Sequence, residues 1–214
     1  MKNRYALIVF ALSLALLCGL GCNRKAKEAI RHYNLGYEHQ TAGRLNEAIS
    51  EYQKAIELDP KHIGAHVNLG NIYIDMGKYD EATAEYMRTL EIDSSEPKSK
   101  LNLCNVLARQ EKFDEAISYC KKAVSEMPNE PSAYFNFGTA YLFQGNYEQA
   151  IPLLKKAVEL KWNFPEAHYD IAVAYLKLGN VEEAAKEVAE LEKMDQSLAN
   201  VLKTAIGGAV KPTK

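Results

Sequence analysis

AIRHYNLGYEHQTAGRLNEAISEYQKAIELDP, residues 29–60, decides the fold, because its pattern returns four more times at an interval of 34 residues with none gained or lost. Windows beginning at Ala29, Ile63, Pro97, Pro131 and Pro165 hold the same chemistry in register. The eighth place is small in every window: Gly36, Gly70, Cys104, Gly138 and Ala172. An apolar residue precedes it each time, and the twentieth place is always alanine: Ala48, Ala82, Ala116, Ala150 and Ala184. The twenty-fourth place holds Tyr52, Tyr86, Cys120, Leu154 and Val188. Glycine inside a helix costs roughly 0.5–1 kcal/mol against alanine, so its recurrence implies that another part of the chain comes very close there. The alanine of the following helix is the expected neighbour. Apolar spacing of three and four residues then predicts two helices per window, the first facing inward at places four, seven, eight and eleven and the second at twenty, twenty-four and twenty-seven.

Turn and cap residues fall where two helices per window require them. Gly43, Gly77, Gly145 and Gly179 stand at the ends of the first helices, where a left-handed residue closes the helix, and Glu111 takes that place in the third window. Glu47, Asp80, Asp114, Glu148 and Glu182 lie in the first turns of the second helices, favourable against the helix dipole. Pro97, Pro131 and Pro165 open windows, where a missing N–H leaves no partner wanting. Pro152 lies inside a second helix and is expected to kink it or loosen its start.

This period, with small residues at fixed places and a turn at mid-window, resembles the tetratricopeptide repeat. The resemblance covers residues 29–198 and implies an all-α, right-handed superhelical solenoid of five helix-turn-helix repeats, 29–62, 63–96, 97–130, 131–164 and 165–198. One helix pair cannot bury its own apolar face, whereas stacked pairs share a continuous core. After the last window Leu198, Val201, Leu202, Ala205 and Ile206 trace one face of a capping helix over residues 198–206, which Gly207 and Gly208 are expected to stop. Residues 207–214 read as a disordered tail.

At the other end, Lys2 and Arg4 precede an apolar run of 16 residues, Tyr5 to Leu20, then Gly21 and Cys22. A charged head, a short apolar middle and small residues before a cut describe a secretory signal over residues 1–21, too short for the roughly 18 apolar residues of a spanning helix. Gly19-Leu20-Gly21-Cys22 resembles the lipobox of bacterial lipoproteins, with Gly19 where leucine is usual. The resemblance implies a lipid on Cys22, whose acyl chains suffice for stable anchoring; an uncleaved anchor or a simply secreted protein are the alternatives. Asn23 after the cysteine implies, by the same resemblance, the outer membrane facing the periplasm, with the inner membrane or secretion as alternatives. Residues 22–28 form a short charged lead-in.

Function is expected on the surface of the first helices, the concave face of such a solenoid. The sixth places read Asn34, Asn68, Asn102, Asn136 and Asp170, and three places further on stand Tyr37, Asn71, Asn105, Thr139 and Val173. An amide supplies a donor and an acceptor, so a row of amides can bind the N–H and C=O groups of an extended peptide. The row resembles the asparagine ladder of the repeat domain in protein O-linked N-acetylglucosamine transferase, although the same residues can instead stabilise neighbouring helices. The expected peptide-binding set is Asn34, Tyr37, Asn68, Asn71, Asn102, Asn105 and Asn136, with Tyr33, Val67, Leu101, Phe135 and Tyr169 at the fifth places, and Leu142 and Phe143, offering anchoring surface. The fifth place is never basic, unlike the carboxylate-clamp type of repeat that holds acidic chaperone tails.

Catalysis finds no support. His32, His66 and His168 share the fourth place, but whole repeats separate them, too far for ligands at about 2 Å from one ion. There is no HExxH, glycine-rich phosphate loop or spaced cysteine pair, so no cofactor or metal is expected. A formal charge of −2 without a basic stripe speaks against nucleic acid. Cys104 and Cys120 occupy facing places of one window and either bridge as a disulfide, which export would favour, or pack as two apolar thiols. The expected role is therefore a non-enzymatic, lipid-anchored scaffold in the bacterial envelope, monomeric by itself, that docks a partner protein or peptide. Pilotin lipoproteins of type IV pilus secretins share this layout. A self-assembling repeat protein is the alternative, and the capping helix opposes it by covering one end.

Overall fold

A computed structural model describes residues 24–209; the signal segment 1–21, Cys22 and the tail residues 210–214 lie outside the described residues. The described residues are helical without strands and fall into two compact units, residues 24–94 and 95–209.

The first unit contains α1 (24–41), α2 (Leu45–Leu58), α3 (Ile63–Asp75) and α4 (Tyr79–Ile92). Helix α2 packs on α3 and α3 on α4. Its core joins Ala48, Tyr52, Ala55, Ala65, Leu69 and Ile72. The second unit contains α5 (Pro97–Arg109), α6 (Phe113–Glu126), α7 (Pro131–Gln144), α8 (Tyr147–Leu160), α9 (Pro165–Lys177), α10 (Val181–Met194) and α11 (Gln196–Ala209). The helices pack in antiparallel pairs, α5 with α6, α7 with α8 and α9 with α10, while α5 also meets α7 and α7 meets α9.

The small eighth place is met most closely by the twenty-fourth side chain, with the expected alanine beside it in the fourth window, where the Ala150 carbonyl would stand 3.2 Å from a Cβ added at Gly138. A Cβ added at Gly36 would stand 2.7 Å from the Tyr52 ring, one at Gly70 2.7 Å from the Tyr86 ring, and one at Gly138 2.6 Å from Leu154. Thus the twenty-fourth side chain of each window lies across the backbone of the eighth place, and the two sizes vary inversely: glycine faces tyrosine or leucine, while Ala172 shares a core with the smaller Val188. Close packing explains the trade, since the space between two helices is constant and must be filled to crystalline density. In the third window this slot holds a disulfide: Cys104 and Cys120 are bonded, with Cα atoms 4.9 Å apart. The bridge spans the place where the first two repeats put a tyrosine ring against glycine.

Helix ends follow the chain's local chemistry. Gly145, at φ 85°, closes α7 in the left-handed conformation, and Glu111 adopts φ 60° at the equivalent place, where an L side chain is strained. Helix α8 starts at Tyr147 and runs through Pro152 over its full 14 residues, so Pro152, on the exposed side, does not shorten its start. One expectation needs correction. The last helix begins at Gln196 and continues through Gly207 and Gly208 to Ala209, so residues 207–209 extend the cap. Leu202 and Ile206 pack with Val188 and Leu191, and that burial outweighs the weak helix preference of two glycines.

Candidate functional site

The fourth-place histidines stabilise the repeats. His66 and His168 are buried, and each pairs through Nδ1 with a glutamate 19 residues on, in the second helix of its own repeat: Glu85 at 2.6 Å and Glu187 at 2.7 Å. His32 pairs with Glu51 at 2.5 Å in the same way. The hydrogen bond that His168 donates to Glu187 raises it above the ordinary histidine value, against the opposing effect of burial. Lys100 takes this place in the third window, buried and paired with Glu126 at 2.5 Å. Among the described residues no three His, Cys, Asp or Glu side chains converge as metal ligands would.

In the first unit the sixth- and ninth-place amides belong to a polar network. Asn68 Nδ2 donates to the Tyr52 hydroxyl at 3.0 Å and to the Tyr33 hydroxyl at 3.4 Å, and Tyr52 in turn donates to Gln40 Oε1 at 2.7 Å. Burial pushes the Tyr52 hydroxyl up to about 12. The Tyr86 hydroxyl donates to Asn71 Oδ1 at 2.6 Å. These amides satisfy the phenols whose rings cover the glycines, since a buried hydroxyl without a partner would destabilise the fold. Asn34 and Tyr37, on α1, are exposed, Tyr37 at 56 %. Below the second helices of this unit lies a broad depression of about 870 Å³ around Ile56, Lys61, His66 and Arg88.

The second unit gathers its row differently. Asn105, Ala108 and Arg109 of α5, Phe135, Asn136, Thr139 and Phe143 of α7, and Asp170 of α9 line one groove of about 190 Å³ on the first-helix face. Three first helices contribute, and their spacing is held by side-chain hydrogen bonds. Asn136 Nδ2 donates to the Leu101 carbonyl on α5 at 3.4 Å, and Thr139 Oγ1 donates to Asp170 Oδ2 on α9 at 2.9 Å. Arg109 Nε donates to Asn105 Oδ1 at 2.9 Å, fixing the guanidinium on the α5 wall. Phe135 packs against Phe164 with ring centroids 4.8 Å apart, while Phe143 stands 48 % exposed at the rim. Burial pushes the Asp170 carboxyl up to about 6, although the Thr139 hydroxyl opposes the shift.

Of the expected peptide-binding residues, the structure brings Asn105 and Asn136 into this groove, leaves Asn102 half-buried on the same unit, and places Asn34, Tyr37, Asn68 and Asn71 in the first unit. Arg109, Thr139 and Asp170 complete the groove and were outside the expected set. Their sequence signal was a departure from the repeat: Asp170 is the single acid in a row of asparagines.

The chain resembles known families and folds along most of its length. Tetratricopeptide-repeat family models match residues 36–77 and 63–96, and the model of anaphase-promoting complex, cyclosome, subunit 3 matches residues 109–191. No curated protein matches it. Among solved structures it is similar to PilW, a widely conserved type IV pilus biogenesis factor, with a TM-score of 0.80 at 21 % identity, covering 85 % of this chain and 86 % of that one. It is similar to YrrB, a TPR protein with an unusual peptide-binding site, with a TM-score of 0.64 at 25 % identity, covering 85 % and 94 %. A third is MamA from Desulfovibrio magneticus RS-1, with a TM-score of 0.70 at 18 % identity, covering 79 % and 96 %.

Proposed function

We propose that this chain, a member of the tetratricopeptide-repeat family, is a scaffold that docks an extended segment of a partner protein on its first-helix face and holds that partner at a bacterial membrane. The observation that carries the docking reading is the groove of the second unit, where amide, hydroxyl, carboxyl and guanidinium groups from three successive helices converge between two phenylalanines. Such a lining supplies donors and acceptors for a peptide backbone and apolar walls for its side chains. Exposed Asn34 and Tyr37 offer the same chemistry on the first unit.

Anchoring rests on the sequence before α1. The apolar run Tyr5–Leu20 ends at Gly21–Cys22, and among the described residues no helix is long and apolar enough to cross a membrane. Lipid on Cys22 would place the repeats at the outer membrane, on its periplasmic side. A bridge between Cys104 and Cys120 suits that oxidising compartment. Assembly of an envelope complex such as a pilus and its secretin is the role we favour, a layout supported by the likeness to PilW.

The test is selection of displayed peptides on the immobilised full-length protein, followed by calorimetric titration of the enriched sequences. Asn105→Ala with Asn136→Ala should weaken those peptides at least tenfold while leaving the melting temperature within a few degrees. Unchanged affinity would move docking away from this groove. For the anchor, labelling with an alkyne fatty acid should mark the wild type and leave Cys22→Ser unlabelled; equal labelling of both would refute lipidation there.

A further inference from the structure

The sixth place is asparagine in four windows and aspartate in the fifth, a change that keeps the shape and adds a charge. In the structure this one carboxyl is half-buried at the end of the groove, and its single hydrogen bond comes from the Thr139 hydroxyl. Among the described residues no cation pairs with it, and its near charged neighbour, Glu166 on the same helix, is repulsive. An acid held half-buried without a counter-charge is unfavourable, and asparagine would have served the packing as well. Aromatic rings stand beside it: Phe135 in the wall and exposed Phe143 at the rim, both suited to the methylenes and the positive head of a basic side chain. The volume of about 190 Å³ equals roughly six waters at about 30 Å³ each, room for one long side chain. On the opposite wall Arg109, tied to Asn105, repels a cation and receives a carbonyl or carboxylate, so the groove is electrically polarised from α5 to α9.

Resting on the docking reading above, we propose that this groove selects a basic group of its partner, which the Asp170 carboxyl receives between Phe135 and Phe143 while Arg109 takes an acceptor further along the same segment. The cation is that of a lysine or arginine side chain, because the groove has room for one long side chain and its two phenylalanines suit the methylenes of such a chain.

Saturation-transfer NMR on the full-length protein in detergent micelles tests this with four probes: Nα-acetyl-lysine methylamide, Nα-acetyl-arginine methylamide, glycinamide as a terminal amine, and Nα-acetyl-norleucine methylamide as the uncharged isostere. The lysine or the arginine probe should bind at least fivefold better than norleucine and than glycinamide, and Asp170→Asn should weaken it about tenfold, the effect of losing a charge-assisted hydrogen bond. A response from glycinamide alone would overturn the side-chain assignment. Norleucine binding as well as every cation, indifference of the cationic probes to Asp170→Asn, or no binding by any probe would each overturn the proposal. The comparison of lysine with norleucine needs no variant, so it stands even if Asp170→Asn folds poorly. Peptides from the display selection that still depend on Asn105 and Asn136 would meanwhile keep the docking reading intact.

Discussion

Asp170→Asn should make this protein more stable at neutral pH, and the size of the gain follows from the site. Burial moves the carboxyl from 3.8 to about 6 on folding, a rise of about two units. Each unit corresponds to ~1.4 kcal/mol, so the ionised form is disfavoured in the folded state by about 3 kcal/mol at most. The sign follows from linkage: well below pH 3.8 the carboxyl is protonated in both states and has no effect. Between 3.8 and about 6 the unfolded chain gives up its proton first, so stability falls as pH rises, and above that window the penalty is constant. Of the charges around it, Glu166 reinforces the shift and Arg109, on the far wall of the groove, carries the opposite sign. Asparagine can still accept the Thr139 hydroxyl, so packing is preserved while the penalty disappears. At pH 7.5 the variant should gain about 2–3 kcal/mol, roughly 4–12 °C in melting temperature for a chain of this size. Thermal melts by circular dichroism from pH 4 to pH 8 would show the two proteins diverging through the window. A variant that melts with the wild type at pH 7.5, or below it, would refute the premise that the half-buried Asp170 is desolvated without compensation. A gain would mean that stability is given up at this place, the pattern expected of a residue kept for binding.

Three further outcomes follow from the packing. Gly70→Ala gains about 1 kcal/mol in helix preference but sets a methyl 2.7 Å from the Tyr86 ring, and overpacking of about 1–3 kcal/mol should win. Adding Tyr86→Val, after the Ala172 and Val188 pair, should cost less than the two single changes together in urea unfolding; strict additivity would refute the size trade. Glu111→Gly should stabilise by about 1 kcal/mol, because the residue sits at φ 60°; no gain in the urea midpoint would show that the left-handed turn carries no strain. Reduction of the Cys104–Cys120 bridge, which closes a loop across a separation of 16 residues, should destabilise by about 3 kcal/mol, read as a lower melting temperature under reductant. Alkylation at Cys104 and Cys120 themselves in the untreated protein, located by peptide mapping, would deny the bridge.

What the sequence determined was the repeat itself. Apolar spacing, the caps at Gly43 and Gly145 and the alanines of the twentieth place are properties of a few neighbouring residues, so a helix pair per window is readable without coordinates. Register also put Cys104 opposite Cys120 and set Asp170 apart from four asparagines. Tertiary structure decided which side chains meet. The rings of Tyr52 and Tyr86, not the alanines, lie on Gly36 and Gly70; Asn68 turns to two tyrosines, whereas Asn105 and Asn136 open onto a groove with Arg109 and Asp170. Residues at one place of the repeat share a helix face, but their partners sit about 16 to 35 residues away, across helix contacts whose geometry depends on the size of every side chain between them. Periodicity is local and additive, while packing is collective.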